Sequence, residues 1–171
     1  MIKRRDLIST SAAAFAFTAG GSAFAEEALT NPDPSTIPDF EKWQLSDSEW
    51  KKRLSPEAYR VLRKEATERA WTSDLNDEKR KGIYACAGCG LDLFSSDAKF
   101  DSGTGWPSFW DVLPNAIGTK TDFKLIVPRT EYHCARCGGH QGHVFKDGPA
   151  PTRLRYCNNG VALTFRPSGI G

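Results

Sequence analysis

CARCGGHQGHVFKDGPAPTRLRYCNN, residues 134–159, holds the densest chemistry of the chain. It opens on a Cys-x-x-Cys pair, Cys134 and Cys137, and passes through Gly138-Gly139-His140-Gln141-Gly142-His143. It ends with Cys157 set between Arg155-Tyr156 and Asn158-Asn159. A second pair, Cys86 and Cys89, supplies the remaining thiols of the five in the chain. Two residues between thiols let one tight turn aim both sulfurs at a single ion. The glycine after each pair, Gly90 and Gly138, relieves the backbone of that turn. Two such knuckles make a tetrahedral four-thiolate site, which suits one structural zinc and leaves no coordination position open. Disulfides, a Cys-x-x-Cys redox pair or an iron–sulfur cluster are the rival uses of the same residues. A loop-closing disulfide is worth a few kcal/mol, whereas a structural zinc contributes about 10–16 kcal/mol to folding.

With zinc on four thiols, Cys157 has no partner. A lone cysteine is often a small buried hydrophobe. Here Arg155 lies two residues earlier on an expected strand, so it shares a face with Cys157 and lowers its pKa. An ordinary thiol is only a few per cent thiolate at neutral pH, and each unit of lowering raises that fraction nearly tenfold until it saturates. His140 and His143, among glycines, are read as active-site proton donors, since four thiolates close the metal site to them. His133 abuts Cys134 and is read as structural. In Gly103-Thr104-Gly105-Trp106-Pro107-Ser108-Phe109-Trp110, Phe109 and Trp110 suit a core, while Trp106 is placed to offer its indole face to a ligand.

Outward from these motifs, residues 1–25, MIKRRDLISTSAAAFAFTAGGSAFA, have the charged start, apolar stretch and Ala-Phe-Ala ending of an export signal. Adjacent Arg4 and Arg5 give it a twin-arginine character, the address of proteins exported already folded. A periplasmic protein starting near Glu26, with no membrane anchor, is the expectation. Lys3, Arg4, Arg5 and Asp6 carry the whole formal excess of +2, so the remainder is neutral and makes no electrostatic case for nucleic acid. The only methionine is Met1.

Residues 26–45, with Pro32, Pro34 and Pro38, read as an extended linker, and residues 46–171 as one domain. Ser46-Asp47-Ser48-Glu49 fits a capping box opening a short helix through Leu54. Ser55-Pro56-Glu57 starts a second, with Ala58, Val61, Leu62 and Ala66 inward and Arg60, Arg63, Lys64 and Glu68 in solvent. Beyond Gly82 the texture is β. Ile83-Tyr84, Leu91–Phe94, Phe123–Val127, His143–Phe145, Arg153–Cys157 and Val161–Phe165 are expected strands. The fold class is mainly β, two packed antiparallel sheets covered by short N-terminal helices and held by the zinc site.

Ser55 to Arg63, GIYACAGCGLDLFSS, KFDSGTGWPSFW, CARCGGHQGHVFKDGPAPT and RYCNN together resemble the B-type peptide-methionine sulfoxide reductases across nearly all of residues 55–165. The resemblance implies Cys157 as the nucleophile that attacks the sulfoxide sulfur and becomes a sulfenic acid. His140, His143 and Asn159 would then bind and protonate the departing oxygen. It implies Trp106 against the substrate's S-methyl group, Arg155 holding Cys157 as thiolate, and Asp147 supporting the histidines. It also implies the R epimer at sulfur, zinc on Cys86, Cys89, Cys134 and Cys137, and no organic cofactor. Expected partners are free methionine sulfoxide or oxidised proteins as substrate and a thioredoxin-like or other thiol reductant, with a monomer as the working unit.

Two departures stand out. Thr104 occupies the place where many members carry a resolving cysteine, so a one-cysteine cycle with an external thiol is expected. Asn158 replaces the usual aliphatic residue after the nucleophile. The competing function is a zinc-knuckle binding module with an inert Cys157, and a third is disulfide exchange through Cys86 and Cys89.

Overall fold

The structure is a computed structural model that describes Leu29 and residues 31–169. The expected signal segment, residues 1–25, lies outside the described residues. Among the described residues, two short α-helices precede the sheets. In α1, Asp47–Arg53, the Ser46 hydroxyl accepts from the Glu49 N–H, and the Glu49 carboxylate reaches back to the Ser46 N–H as the capping box requires. In α2, Pro56–Lys64, Ser55 caps the Ala58 N–H, and Ala58, Tyr59, Val61 and Leu62 are buried. The helix stops one turn earlier than its apolar spacing suggests. Glu65 turns left-handed at φ 51°, so Ala66 falls outside it.

Nine strands follow: β1 (Gly82–Cys86), β2 (Asp92–Ser95), β3 (Lys99–Phe100), β4 (Ser108–Phe109), β5 (Ile117–Asp122), β6 (Arg129–Cys134), β7 (His140–Phe145), β8 (Arg155–Asn158) and β9 (Leu163–Pro167). They form two antiparallel sheets, ordered β2-β1-β9 and β3-β4-β8-β7-β6-β5. Aromatic side chains from both sheets make the core. Phe94 stacks on Phe109 with centroids 4.2 Å apart, and Tyr84 meets Phe109 at 4.9 Å. Tyr132 and Tyr156 pack edge-to-face at 5.5 Å. All five residues are completely buried. The mainly β class with two packed sheets and short helices is thus observed.

Four details depart from the sequence expectation. Phe123–Val127 is no strand but the connection between β5 and β6, and its Phe123, Leu125, Ile126 and Val127 are exposed. The partner strands of that hairpin are Ile117–Asp122 and Arg129–Cys134, whose polar threonines and charges hid the β signal. Part of the supposed linker is docked on the domain. Asn31 accepts from the Thr119 N–H, Ile37 is buried, and Trp43 packs against Trp50. Finally, Arg63 and Glu68 are not free in solvent. Arg63 donates to the Cys137 carbonyl at 2.8 Å, and the Glu68 carboxylate accepts from the Gly160 N–H at 2.5 Å.

Candidate active site and four-cysteine centre

The site is built on β7 and β8, which pair so that His143 lies directly opposite Cys157 and Gly142 opposite Asn158. The approach is close: a Cβ on Gly142 would lie 1.9 Å from the Cys157 carbonyl oxygen, so no side chain fits there. On the other flank β7 carries a bulge. Tyr132 pairs with Gly142 while its neighbour His133 pairs with His140, leaving Gln141 as the extra residue. A bulge reverses the alternation of a strand. That lets His140 and His143, three apart, come together with ring centroids 5.6 Å apart.

Each imidazole is oriented by a carboxylate. His140 is buried, and its Nδ1 lies 2.7 Å from Glu131, whose other oxygen meets His133 Nδ1 at 3.0 Å. Burial works against the Glu131 charge, but hydrogen bonds from His133 and His140 outweigh it and hold the carboxyl at about 2. His143 Nε2 lies 2.7 Å from Asp122, which also accepts from Arg129 at 2.6 Å. The Lys124 N–H, His143 and Arg129 together hold Asp122 far below the usual carboxylate range. Burial pushes His143 down, and its bond to Asp122 only partly offsets that. A neutral ring donating from Nε2 to a carboxylate leaves Nδ1 unprotonated.

Cys157 is half-buried. Burial pushes its thiol up, while the Arg155 charge and hydrogen bonds from Thr104 and Arg155 pull it down by less. Arg155 therefore acts in the expected direction but does not prevail over burial. Arg155 is itself fixed by a two-pronged pair with Asp147, at 2.8 and 2.9 Å, and lies over the Phe145 ring. Asp147 thus supports Arg155 and not the histidines, the first correction to the expected site. Glu131 and Asp122 take the role expected of Asp147.

A cavity of about 120 Å³, the volume of a few water molecules, opens at this point. It is lined by Trp106, Arg129, His143, Phe145, Cys157 and Asn159, among others. Trp106 is held by a hydrogen bond from its indole N–H to the Glu68 carbonyl at 3.0 Å. Asn159 is held at both ends: its Oδ1 accepts from the Glu68 N–H and its Nδ2 donates to the Gln141 carbonyl. Glu68, expected in solvent, thus anchors two walls of the cavity. Asn158 faces inward, fully buried, and accepts from the Tyr132 hydroxyl at 2.6 Å.

The other four cysteines gather elsewhere. Cys86, Cys89, Cys134 and Cys137 are buried with all sulfurs within 4.8 Å of one another. The Cys86–Cys137 and Cys89–Cys134 separations are 3.7 and 3.5 Å. A disulfide needs about 2.05 Å, whereas a tetrahedral site with metal–sulfur bonds of about 2.3 Å has edges of about 3.8 Å. The donor set therefore fits a four-coordinate metal. Arg136 donates to the Cys89 sulfur at 3.4 Å and Gln141 to the Cys86 sulfur at 3.4 Å, which moderates the charge of four thiolates.

The SelR domain profile matches residues 54–167, which spans both the cavity and the four-cysteine cluster. The chain belongs to the SelR family. Its relatives include the "Peptide methionine sulfoxide reductase MsrB" of Methanosarcina barkeri, 55% identical over 129 residues, which covers 75% of this chain and 91% of that protein. The protein of the same name from Thiobacillus denitrificans is 54% identical, over 71% of this chain and 93% of its own. The "Peptide methionine sulfoxide reductase B1, chloroplastic" of Arabidopsis thaliana is 48% identical, over 78% of this chain and 68% of its own. Within this SelR domain the motif residues Cys157, His143, Asn159 and Trp106 meet at one cavity, with His140 directly behind. Asp122, Glu131 and Glu68 carried no motif signal. Asp122 and Glu131 could have been found only by pairing β5 and β6 correctly.

Proposed function

We propose that the protein reduces methionine R-sulfoxide, free or within proteins, to methionine with Cys157 as nucleophile. The observation that carries this is the separation of sulfurs: Cys157 alone shares a cavity with His143, Asn159 and Trp106, while the other four cysteines meet at one point. The sulfoxide methyl group would rest on the Trp106 ring, with its oxygen toward the second Nδ2 proton of Asn159 and the two imidazoles. His143 takes the thiol proton as the Cys157 sulfur closes on the sulfoxide sulfur, and returns it to the oxygen, a poor leaving group until protonated. The sulfur–oxygen bond breaks, the hydroxyl passes to the Cys157 sulfur, and the transient sulfur–sulfur bond breaks with its electron pair left on the thioether. One thiol and one sulfoxide give one sulfenic acid and one thioether, two electrons having moved to the substrate sulfur.

Thr104 stands where a resolving thiol would be, so the sulfenic acid is returned to thiol by two equivalents of an external thiol, with release of water and a disulfide. A thioredoxin-like protein or a small thiol supplies them. Zinc is the metal that a closed four-thiolate site favours, and its place here is architectural. The N-terminal sequence supports export to the periplasm with the metal already bound. Turnover of methionine R-sulfoxide with several thiol donors, beside Cys157→Ser, tests the assignment. Activity in the parent and none in a folded, metal-loaded variant is expected, and retained activity in that variant would overturn it.

A further inference from the structure

Gln141 is an odd residue for its place. It is completely buried, and as the extra residue of the β7 bulge it lies out of step with the strand's alternation. A primary amide so enclosed is costly unless both ends are bonded. Both are. Its Nε2 donates to the Cys86 sulfur at 3.4 Å, and its Oε1 accepts from Asn158 Nδ2 at 3.5 Å. The Asn158 Oδ1 in turn accepts from the Tyr132 hydroxyl, and its Nδ2 also donates to the Asn159 main-chain carbonyl. The Gln141 main-chain carbonyl accepts from Asn159 twice, from the backbone N–H at 2.9 Å and from Nδ2 at 2.8 Å. A continuous buried chain of polar groups therefore runs from a cysteine of the four-cysteine centre to the residue beside the nucleophile. Asn158, the departure from the usual aliphatic residue, is the link that completes it.

We propose that Gln141 is a positioning residue through which the four-cysteine centre holds the active-site strand β8 in place. A metal-held thiolate accepts hydrogen bonds and has no proton to give, so Cys86, together with the Gly139 main-chain carbonyl at 3.4 Å, takes the N–H₂ end of the Gln141 amide. The carbonyl end must then face Asn158, whose own amide is oriented by it and by Tyr132. The occupied centre thereby adds a charge-assisted acceptor to one end of a chain of hydrogen bonds whose direction runs on to Asn158, where Nδ2 also donates to the Asn159 carbonyl. The same coupling acts in reverse: a change at Asn158 is felt at the metal, which it does not touch.

The inference rests on the four cysteines holding a metal, and cobalt as a spectroscopic substitute tests the two claims separately. Failure of the parent protein to take up one Co²⁺ per chain with a thiolate-to-cobalt charge-transfer band would overturn the metal assignment and this proposal together, before any variant is compared. With the band present, Gln141→Leu is expected to move it to lower energy, because a hydrogen bond that stabilised the sulfur electrons is gone. The same variant should weaken metal binding about tenfold in chelator competition. Asn158→Leu should move the band in the same direction by less, and should add nothing on the Gln141→Leu background. The double variant, with both polar partners replaced, should recover thermal stability lost by either single one, yet keep the shifted band. Asn158→Leu that folds but leaves band position and metal affinity at parental values would overturn the proposal. That arm stands even if Gln141→Leu alone does not fold.

Discussion

Cys157 sits between opposing influences, and their balance sets how the reaction runs with pH. Burial raises its thiol above the ordinary 9.0, and burial lowers His143 below the ordinary 6.5. In the proposed reaction the pair shares one proton between those limits, the one the departing oxygen requires. kcat/KM for methionine R-sulfoxide is therefore predicted to be flat from about pH 6.5 to 9 and to fall on both sides. A pH–rate profile checks this, and a single rising limb with a midpoint near 7 would mean a thiolate at rest. Glu131 gives a separate test in stability. Its folded carboxyl, at about 2, lies below its ordinary 4.5, so the folded form binds fewer protons in that window. Stability from this group is complete above 4.5 and is lost as pH falls toward 2. Thermal melts should show that decline in the parent protein and a weaker one in Glu131→Gln. Cys157 and both histidines were legible as candidates in the sequence because their chemistry is local to a short motif. Their carboxylates were not. Asp147 is four residues from His143 and turns to Arg155, whereas Asp122 is far along the chain and reaches the ring only through strand pairing.

At the scale of elements, the segment from His140 to Phe145 decides the geometry. Its bulge brings two histidines together, and its Gly142 lets β8 lie close enough to set Cys157 opposite His143. Gly142→Ala would drive a methyl group into the Cys157 carbonyl and force the strands apart. Overpacking of this kind costs about 1–3 kcal/mol or more. A lower denaturation midpoint together with loss of turnover is expected, and an unchanged midpoint would show that β8 can shift freely. The helix starts were readable to the residue, since capping serines and Pro56 act locally. Hairpin β5–β6 was not. Its apolar tip, Phe123–Val127, has strand-like residues in a connection, while Thr119-Lys120-Thr121 and Thr130-Glu131 have polar residues in strands. Pairing across the sheet overrode the composition of both.

For the molecule as a whole, the four-cysteine centre joins the two sheets. Cys86 is the last residue of β1 in the smaller sheet and Cys134 the last of β6 in the larger. A structural metal there contributes on the order of 10–16 kcal/mol. Chelation under native conditions should therefore abolish the cooperative thermal transition, as should Cys86→Ser; retention of the parental transition by the metal-free protein would remove the metal from the architecture. A polar tie from this centre toward the active site runs through Gln141, which makes architecture and chemistry parts of one network. Division of labour among the five sulfurs can be read in one turnover. The reductant-free, metal-loaded protein is mixed with methionine R-sulfoxide, and products and thiols are counted by mass spectrometry. One methionine released per chain, one oxygen atom gained at Cys157 and four thiols unchanged are expected, with no methionine formed by Cys157→Ser. A disulfide between Cys157 and any of Cys86, Cys89, Cys134 or Cys137, or oxygen gained at one of those four, would contradict it.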